Sequence, residues 1–453
     1  MEVEEFRRIL AAGLGRAILY LRDHDDTPYR DVILYACTHG LQFDRQSEGA
    51  RSKYLLELIG CTDAQEWYHD QILIALTRTQ TDPDLDADQL FAFVWQYAEE
   101  GDATARAALY VAFAANVTTR SRYARESEGN VNLVELDGLK GFLFAANLLG
   151  QWLLADPEVG FSDWALSRLE EQQGKEEVAA ALRQAATANP HIAAYVNHIY
   201  GERETKSASR ADPPAWTYEQ ALSRVADYAK KEHTPPAYSD LQWWGHRASD
   251  ADVLRVADDL LHETDPLRLY PLISIFARCA FPLAPDRLIA LARTASDAEC
   301  NVWNATLAER IAWWACRALQ NVTHPAVRDL ALYLIGTRHL VARGTGLLRS
   351  NYRDGDHLLI EDCLHRAEND EVFHSIGHDA LQIYKTRPLP ESVNVLILMY
   401  ERDLCSHCRE RSVELLDRLQ ALPEWMINEG RFDANEDICE RMINHLANAD
   451  ASA

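Results

Sequence analysis

The sequence predicts an all-α chain of antiparallel helical hairpins stacked side by side into a superhelix. The apolar residues recur with the helical period of 3.6, no stretch alternates apolar and polar residues as a strand does, and one hairpin-like unit recurs along the chain. The unit is clearest from Asn304 to Ile335. There Leu307, Ile311, Trp314, Ala315, Ala318 and Leu319 fall at i, i+4, i+7, i+8, i+11 and i+12, which is one stripe of a helix. After Asn321-Val322-Thr323-His324 comes Pro325, tolerated at a first helical position because that N–H has no partner to lose. Val327, Leu330, Ala331 and Leu334 then form a second stripe. Such a pair leaves apolar surface on both flanks, so it needs similar neighbours to complete its core.

Taken in order, residues 1–201 read as helical throughout. Breaks fall at His24-Asp25-Asp26-Thr27-Pro28, Thr81-Asp82-Pro83-Asp84, Gly101-Asp102 and Ala188-Asn189-Pro190. Thr27 is the expected N-cap before Pro28, which puts Tyr29-Arg30 in the place of Val327-Arg328. Residues 202–214 have no apolar period and end in Pro213-Pro214, which cannot continue a helix, so they are expected to be a polar linker. Helical patterning then runs over 215–446. Thr217 with Gln220 and Ser249 with Asp252 mark helix starts in that segment, and 447–453 reads as a frayed tail.

The recurring feature is a capped turn followed by an apolar residue and an arginine, as in His324-Pro325-Ala326-Val327-Arg328. Asp102 to Arg106 and Ser406-His407-Cys408-Arg409 match without the proline, and Asp265-Pro266-Leu267-Arg268 matches with Pro271 inside its helix. The pattern resembles the HEAT and armadillo-like helical repeats. Arginines 30, 106, 268, 328 and 409 are separated by 76, 162, 60 and 81 residues, and repeats of ~40 residues account for all but the 60. A further unit, with Ile360, Cys363, Leu364 and Ala367 followed by Val372, Ile376, Ala380 and Ile383, lacks the arginine. The resemblance implies an architecture whose members scaffold, transport, bind nucleic acid or occasionally catalyse.

The formal charge is −25, and 47% of residues are hydrophobic, with 20 Gly and 16 Pro, which is an ordered and strongly acidic composition. Such a surface repels duplex nucleic acid and anionic membranes, since binding them requires Lys and Arg to neutralise phosphates. Nine cysteines, mostly within helical patterns such as those at Cys37, Cys279 and Cys316, are expected as reduced thiols. Met1-Glu2-Val3-Glu4-Glu5 is acidic where a secretory signal would be basic, and no apolar run approaches the ~18 residues of a membrane span. A cytoplasmic location is expected.

Among motifs, Cys405-Ser406-His407-Cys408 is a C-x-x-C that could offer two metal ligands, with His374 and His378 about one repeat upstream. The histidine pair lies off the Val372/Ile376 face. The expectation is nonetheless a core role for Cys408 in the place of Val327, and no metal. Asp82 to Asp88 opens like a calcium loop, yet Ala87 and Phe93 stand where Gly and Glu are required, so its carboxylates read as helix-start charges. A lone His262-Glu263 pair supports neither a zincin nor a HEAT-like di-iron hydroxylase. Gly344-Thr345-Gly346, with no strand before it and no G-K-[ST], reads as a helix stop.

Two basic clusters interrupt the acidic chain: Arg120, Arg122 and Arg125, then Arg338, Arg343, Arg349 and Arg353. The adjacent pairs Trp243-Trp244 and Trp313-Trp314 project about 100° apart on a helix, so one member of each can face away from the core. These features predict a non-enzymatic scaffold without a cofactor that binds a protein or peptide partner, expected to be basic. Arg120, Arg122, Arg125, Trp244, Trp313, Arg338 and Arg343 are the candidate contacts. The alternative is a nucleic-acid-binding protein or repair enzyme like the HEAT-like DNA glycosylases, which would need the arginine clusters to form one groove.

Overall fold

The computed structural model describes residues 1–119, 129–157, 159–209, 216–230, 239–294 and 305–450. Among them every regular element is a helix and none is a strand. None of these helices is long and apolar enough to cross a membrane. The chain forms two compact units. The first comprises Met1–Ala211, Leu404–Ser406 and Pro423–Ala453, and the second Asp212–Asp403 and His407–Leu422.

Side-chain caps legible in the sequence start several of the helices. Thr217 and Gln220 form a full capping box ahead of Tyr218–Ala229, and Ser249 accepts from the Asp252 N–H ahead of Asp250–His262. Asp86 accepts from the Gln89 N–H at the start of Ala87–Glu99, so the aspartates of the calcium-like stretch act at a helix N-terminus as expected. Thr27 differs from its expected role. It lies inside a 3₁₀ turn, Thr27–Tyr29, and its own N–H and hydroxyl both donate to Asp25 Oδ1. A short Asx-type turn therefore precedes the helix Arg30–Thr38 in place of a threonine cap.

In the first unit, Leu139–Ala155 packs against Asn130–Asp137 and Pro190–Ser209. That last helix carries the chain through 202–209, so the front of the expected linker is helical, while 210–214 lie outside the described residues. The C-terminal segment also departs from the expected division. Glu424–Gly430 and Glu436–Asp450 belong with the N-terminal helices. Arg16 donates from Nε and Nη2 to the buried Glu429 carboxylate, and the Ala434 N–H donates to Gly13 O at 2.8 Å. Residues 447–450 continue a helix, and 451–453 lie outside the described residues.

In the second unit the stripes read from sequence lie in the core apart from Leu307, which is only half-buried: Ile311, Trp314, Ala315, Ala318 and Leu319, then Val327, Leu330, Ala331 and Leu334, are all buried. A capping box of Thr306 and Glu309 starts Leu307–Leu319. His324 caps Pro325–Ile335 through its Nδ1, which accepts from the Ala326 N–H, with Pro325 in the first turn. Leu307–Leu319 packs chiefly on Pro266–Ser274 and Asp286–Ala292, and Pro325–Ile335 chiefly on Val341–Leu347. Each of the two helices thus packs mainly on elements outside the pair.

The recurring arginines hold neighbouring elements together. Arg328 makes a two-pronged pair with Asp356, with Nη1 2.7 Å and Nη2 2.8 Å from its oxygens, and also donates to Asn351 O. Arg30 pairs in the same two-pronged way with Asp26, Arg106 pairs with Asp137 and Arg268 with Glu263. Arg409 is fully buried with its guanidinium over the Tyr400 ring.

Candidate binding cavity

A cavity of about 330 Å³ opens in the second unit among three helices: Leu307–Leu319, Val341–Leu347 and Asp370–Thr386. The first presents Trp313, Cys316 and Arg317, followed by Gln320, a 3/4 spacing that keeps all four on one face. Ala342 and Arg343 come from the second, and His374, Ser375, His378 and Asp379 form one face of the third. The histidine pair, whose ring centroids are 6.3 Å apart, therefore lies where its offset from the Ile376 stripe put it, beside the core and facing the cavity.

Two glycines let the walls approach. A Cβ on Gly344 would come within 2.8 Å of Ala331 O and 2.7 Å of the Ile335 N, so its absence sets the spacing between two helices. A Cβ on Gly346 would meet Gln320 Nε2 at 2.3 Å and Asp379 Oδ2 at 2.7 Å. The Gly344-Thr345-Gly346 stretch is thus inside Val341–Leu347, where the expected helix stop is overturned by packing.

The electrostatics are uneven. Arg317 lies with its guanidinium 5.6 Å from the Trp313 ring centroid, in cation–π contact. Arg343 Nη1 is shut off from solvent and makes no hydrogen bond among the described residues. Burial pushes the Asp379 carboxyl up to about 7, against the pull of the Arg317 and Arg349 charges. Burial also pushes the Cys316 thiol up to about 11, opposed by Arg343, so it stays protonated at neutral pH. His374 Nδ1 lies 3.3 Å from Asp403 Oδ1, on a carboxylate fully enclosed by the fold. Trp313 and Arg343 also line an adjoining pocket of about 10 Å³ with Tyr270, Glu309 and Arg310.

Of the residues expected to contact a partner, Trp313 and Arg343 come together here. Trp244 does not: it is 7% exposed, and its indole N–H donates to Trp216 O at 2.9 Å. Trp243 is the exposed member of that pair, at 38%, because Leu241 and Trp244 share the face turned to the core. Arg120, Arg122 and Arg125 lie outside the described residues, as does the side chain of Arg338. Of the possible metal ligands, His374 and Cys408 bring a ring nitrogen and a thiol within 4.8 Å of each other in the second unit. Cys408 is in the core, as expected, while His378 lines the cavity. Cys405 is grouped with the first unit.

Arg317, Gln320 and Asp379 were not singled out from sequence. The signal was present: Trp313 to Arg317 and Ser375 to Asp379 are both i, i+4, so each pair shares a face. What the sequence lacks is the information that the two faces meet. The chain matches no protein-family model, no curated protein and no solved structure in the three comparisons made.

Proposed function

We propose that this protein is a non-enzymatic binding protein of the HEAT-like helical-repeat kind, a superhelix of stacked hairpins. Its second unit takes a protein or peptide partner at the Trp313–Arg343 cavity. The observation that carries the reading is the cavity itself: an aromatic wall, a partly unmet guanidinium and a ring of fixed polar side chains, held by three packed helices. A few polar groups placed on rigid elements around an apolar wall form a recognition site. The expected basic character of the partner rests on the −25 net charge, which draws basic segments toward the chain.

The test is a binding measurement on the whole chain. A fluorescent library of Lys- and Arg-bearing heptapeptides is titrated by anisotropy against the wild-type protein and against Trp313→Ala. Binding in the micromolar range that weakens at least tenfold in the variant is expected. No binding by any peptide, or binding indifferent to Trp313→Ala, would overturn the proposal.

A further inference from the structure

Cys408 is buried, but its neighbours are not those of an ordinary core residue. Within the second unit a ring nitrogen of His374 lies within 4.8 Å of the Cys408 sulfur. The same imidazole has Asp403 beside it, 3.3 Å from Nδ1 and with its side chain fully enclosed. A buried thiol needs only apolar company, whereas an imidazole and an enclosed carboxylate are costly inside a fold unless a positive charge joins them. A protonated His374 would answer Asp403 and leave the thiol without a part. A carboxylate behind an imidazole that stands next to a thiol is instead the arrangement that supports a metal-ligating histidine.

Cys405 comes with Cys408 by the length of the chain. It is the residue before the helix Ser406–Arg418, Cys408 stands in that helix's first turn, and both side chains are buried. C-x-x-C is the spacing by which two thiolates take one ion. A helix start also favours the deprotonated sulfur that ligation needs, because its N–H groups carry partial positive charge.

The donors select the metal. Two thiolates and an imidazole suit zinc, while calcium and magnesium take oxygen ligands. Two thiolates also cancel the charge of a divalent ion, so the centre is neutral, and the two displaced thiol protons pass to solvent. Around tetrahedral zinc, with Zn–S about 2.3 Å and Zn–N about 2.0 Å, the donor atoms stand about 3.5–3.8 Å apart. A shift of about 1 Å therefore brings His374 and Cys408 onto one ion. His378, with its ring centroid 6.3 Å from that of His374 and its side chain 42% exposed, stays with the cavity, and a water takes the fourth position.

We propose that His374, Cys405 and Cys408 bind one zinc ion, with Asp403 positioning His374. The ion fastens Asp370–Thr386, a wall of the cavity, to the first turn of Ser406–Arg418. Zinc here replaces the metal-free core expected from the sequence, and its presence does not depend on peptide binding.

The test is made on the whole chain, carrying no histidine tag and purified without chelator. Inductively coupled plasma mass spectrometry is expected to find one zinc per chain. After the metal is stripped, titration with Co(II) should give the absorption bands of tetrahedral, thiolate-bound cobalt, saturating at one equivalent and erased by added zinc. His374→Ala and Cys405→Ser should each weaken zinc binding at least tenfold, and Asp403→Asn by about tenfold, while Cys61→Ser leaves it unchanged. Circular dichroism establishes that each variant is folded; should one of the two ligand variants fail to fold, the other carries the same expectation. No zinc in the purified protein together with no thiolate–cobalt band in the stripped wild type overturns the proposal. Zinc retained at full affinity in both His374→Ala and Cys405→Ser places the ion elsewhere and overturns it equally.

Discussion

Arg328 and Asp379 are two charges in the second unit with opposite circumstances. Arg328 and Asp356 are mostly shielded, at 13% and 7% side-chain exposure, and meet in a two-pronged pair whose carboxylate also accepts from the Arg353 N–H. Removing one partner strands the other, so Arg328→Met should destabilise the protein by about 2–4 kcal/mol, read from urea unfolding. The Arg328→Met/Asp356→Asn double variant should cost less than the sum of the single variants, and strict additivity would show that the pair is not coupled. Asp379 is the reverse case, a carboxyl whose folded value of about 7 lies above its unfolded one. Between pH ~4 and ~7 the unfolded chain ionises this group while the folded chain keeps its proton. The unfolded state then binds fewer protons, and stability falls as pH rises, by up to about 1.4 kcal/mol per pH unit. Below that window the penalty vanishes and above it the penalty is constant. Asp379→Asn should therefore raise stability at pH 8 by about 1–3 kcal/mol and change it little at pH 4. Melting curves at the two pH values check this, and an equal effect at both would contradict the burial argument.

At the level of elements, Val341–Leu347 shows how far the sequence is legible and where it stops. Its neighbours Leu307–Leu319 and Pro325–Ile335 announce themselves by periodicity, a cap and a first-turn proline, all local features. A seven-residue helix containing two glycines carries no such signal, because propensity counts each glycine as about 1 kcal/mol against a helix. Tertiary packing overrides that local cost, since each glycine stands where another element presses close. The same blindness hid the cavity: each face was readable as an i, i+4 set, but their convergence depends on long-range packing. The two glycines also make a paired prediction. A methyl at Gly344 meets the backbone of Ala331 and Ile335, which cannot yield without moving a helix, so Gly344→Ala should cost about 2–3 kcal/mol. A methyl at Gly346 meets only the far ends of Gln320 and Asp379, which can rotate, so Gly346→Ala should cost about 1 kcal/mol or less. Yet it displaces two cavity groups, and peptide affinity should drop more in Gly346→Ala than its stability does. Equal stability losses in the two variants would show that the helix contact at Gly344 is looser than its geometry.

For the whole molecule, the sequence was readable in class and misleading in connectivity. Periodicity identified helices nearly everywhere, but it carries no sign that the last segment joins the first unit, because that depends on pairs such as Arg16 with Glu429, 413 residues apart. Charge is the property of the whole chain that composition does report. With 70 acidic against 45 basic side chains, the surface attracts cations at a range that salt shortens to about 8–10 Å at moderate ionic strength. The Trp313–Arg343 cavity contributes differently: its contacts are short and partly shielded from solvent, so salt screens them much less. Binding of a basic peptide should then have two components, one that fades with salt and one that persists. Between 50 and 500 mM NaCl the affinity should fall several-fold and level off above zero. Trp313→Ala should remove the residual part, leaving a steep decline toward no binding. The same field acts with the opposite sign on polyanions, so a fluorescent 20-base-pair duplex should show no measurable binding at 150 mM NaCl. Duplex binding that survives that salt concentration would displace the peptide reading in favour of a nucleic-acid one, with Arg317 and Arg343 as the first phosphate contacts to mutate.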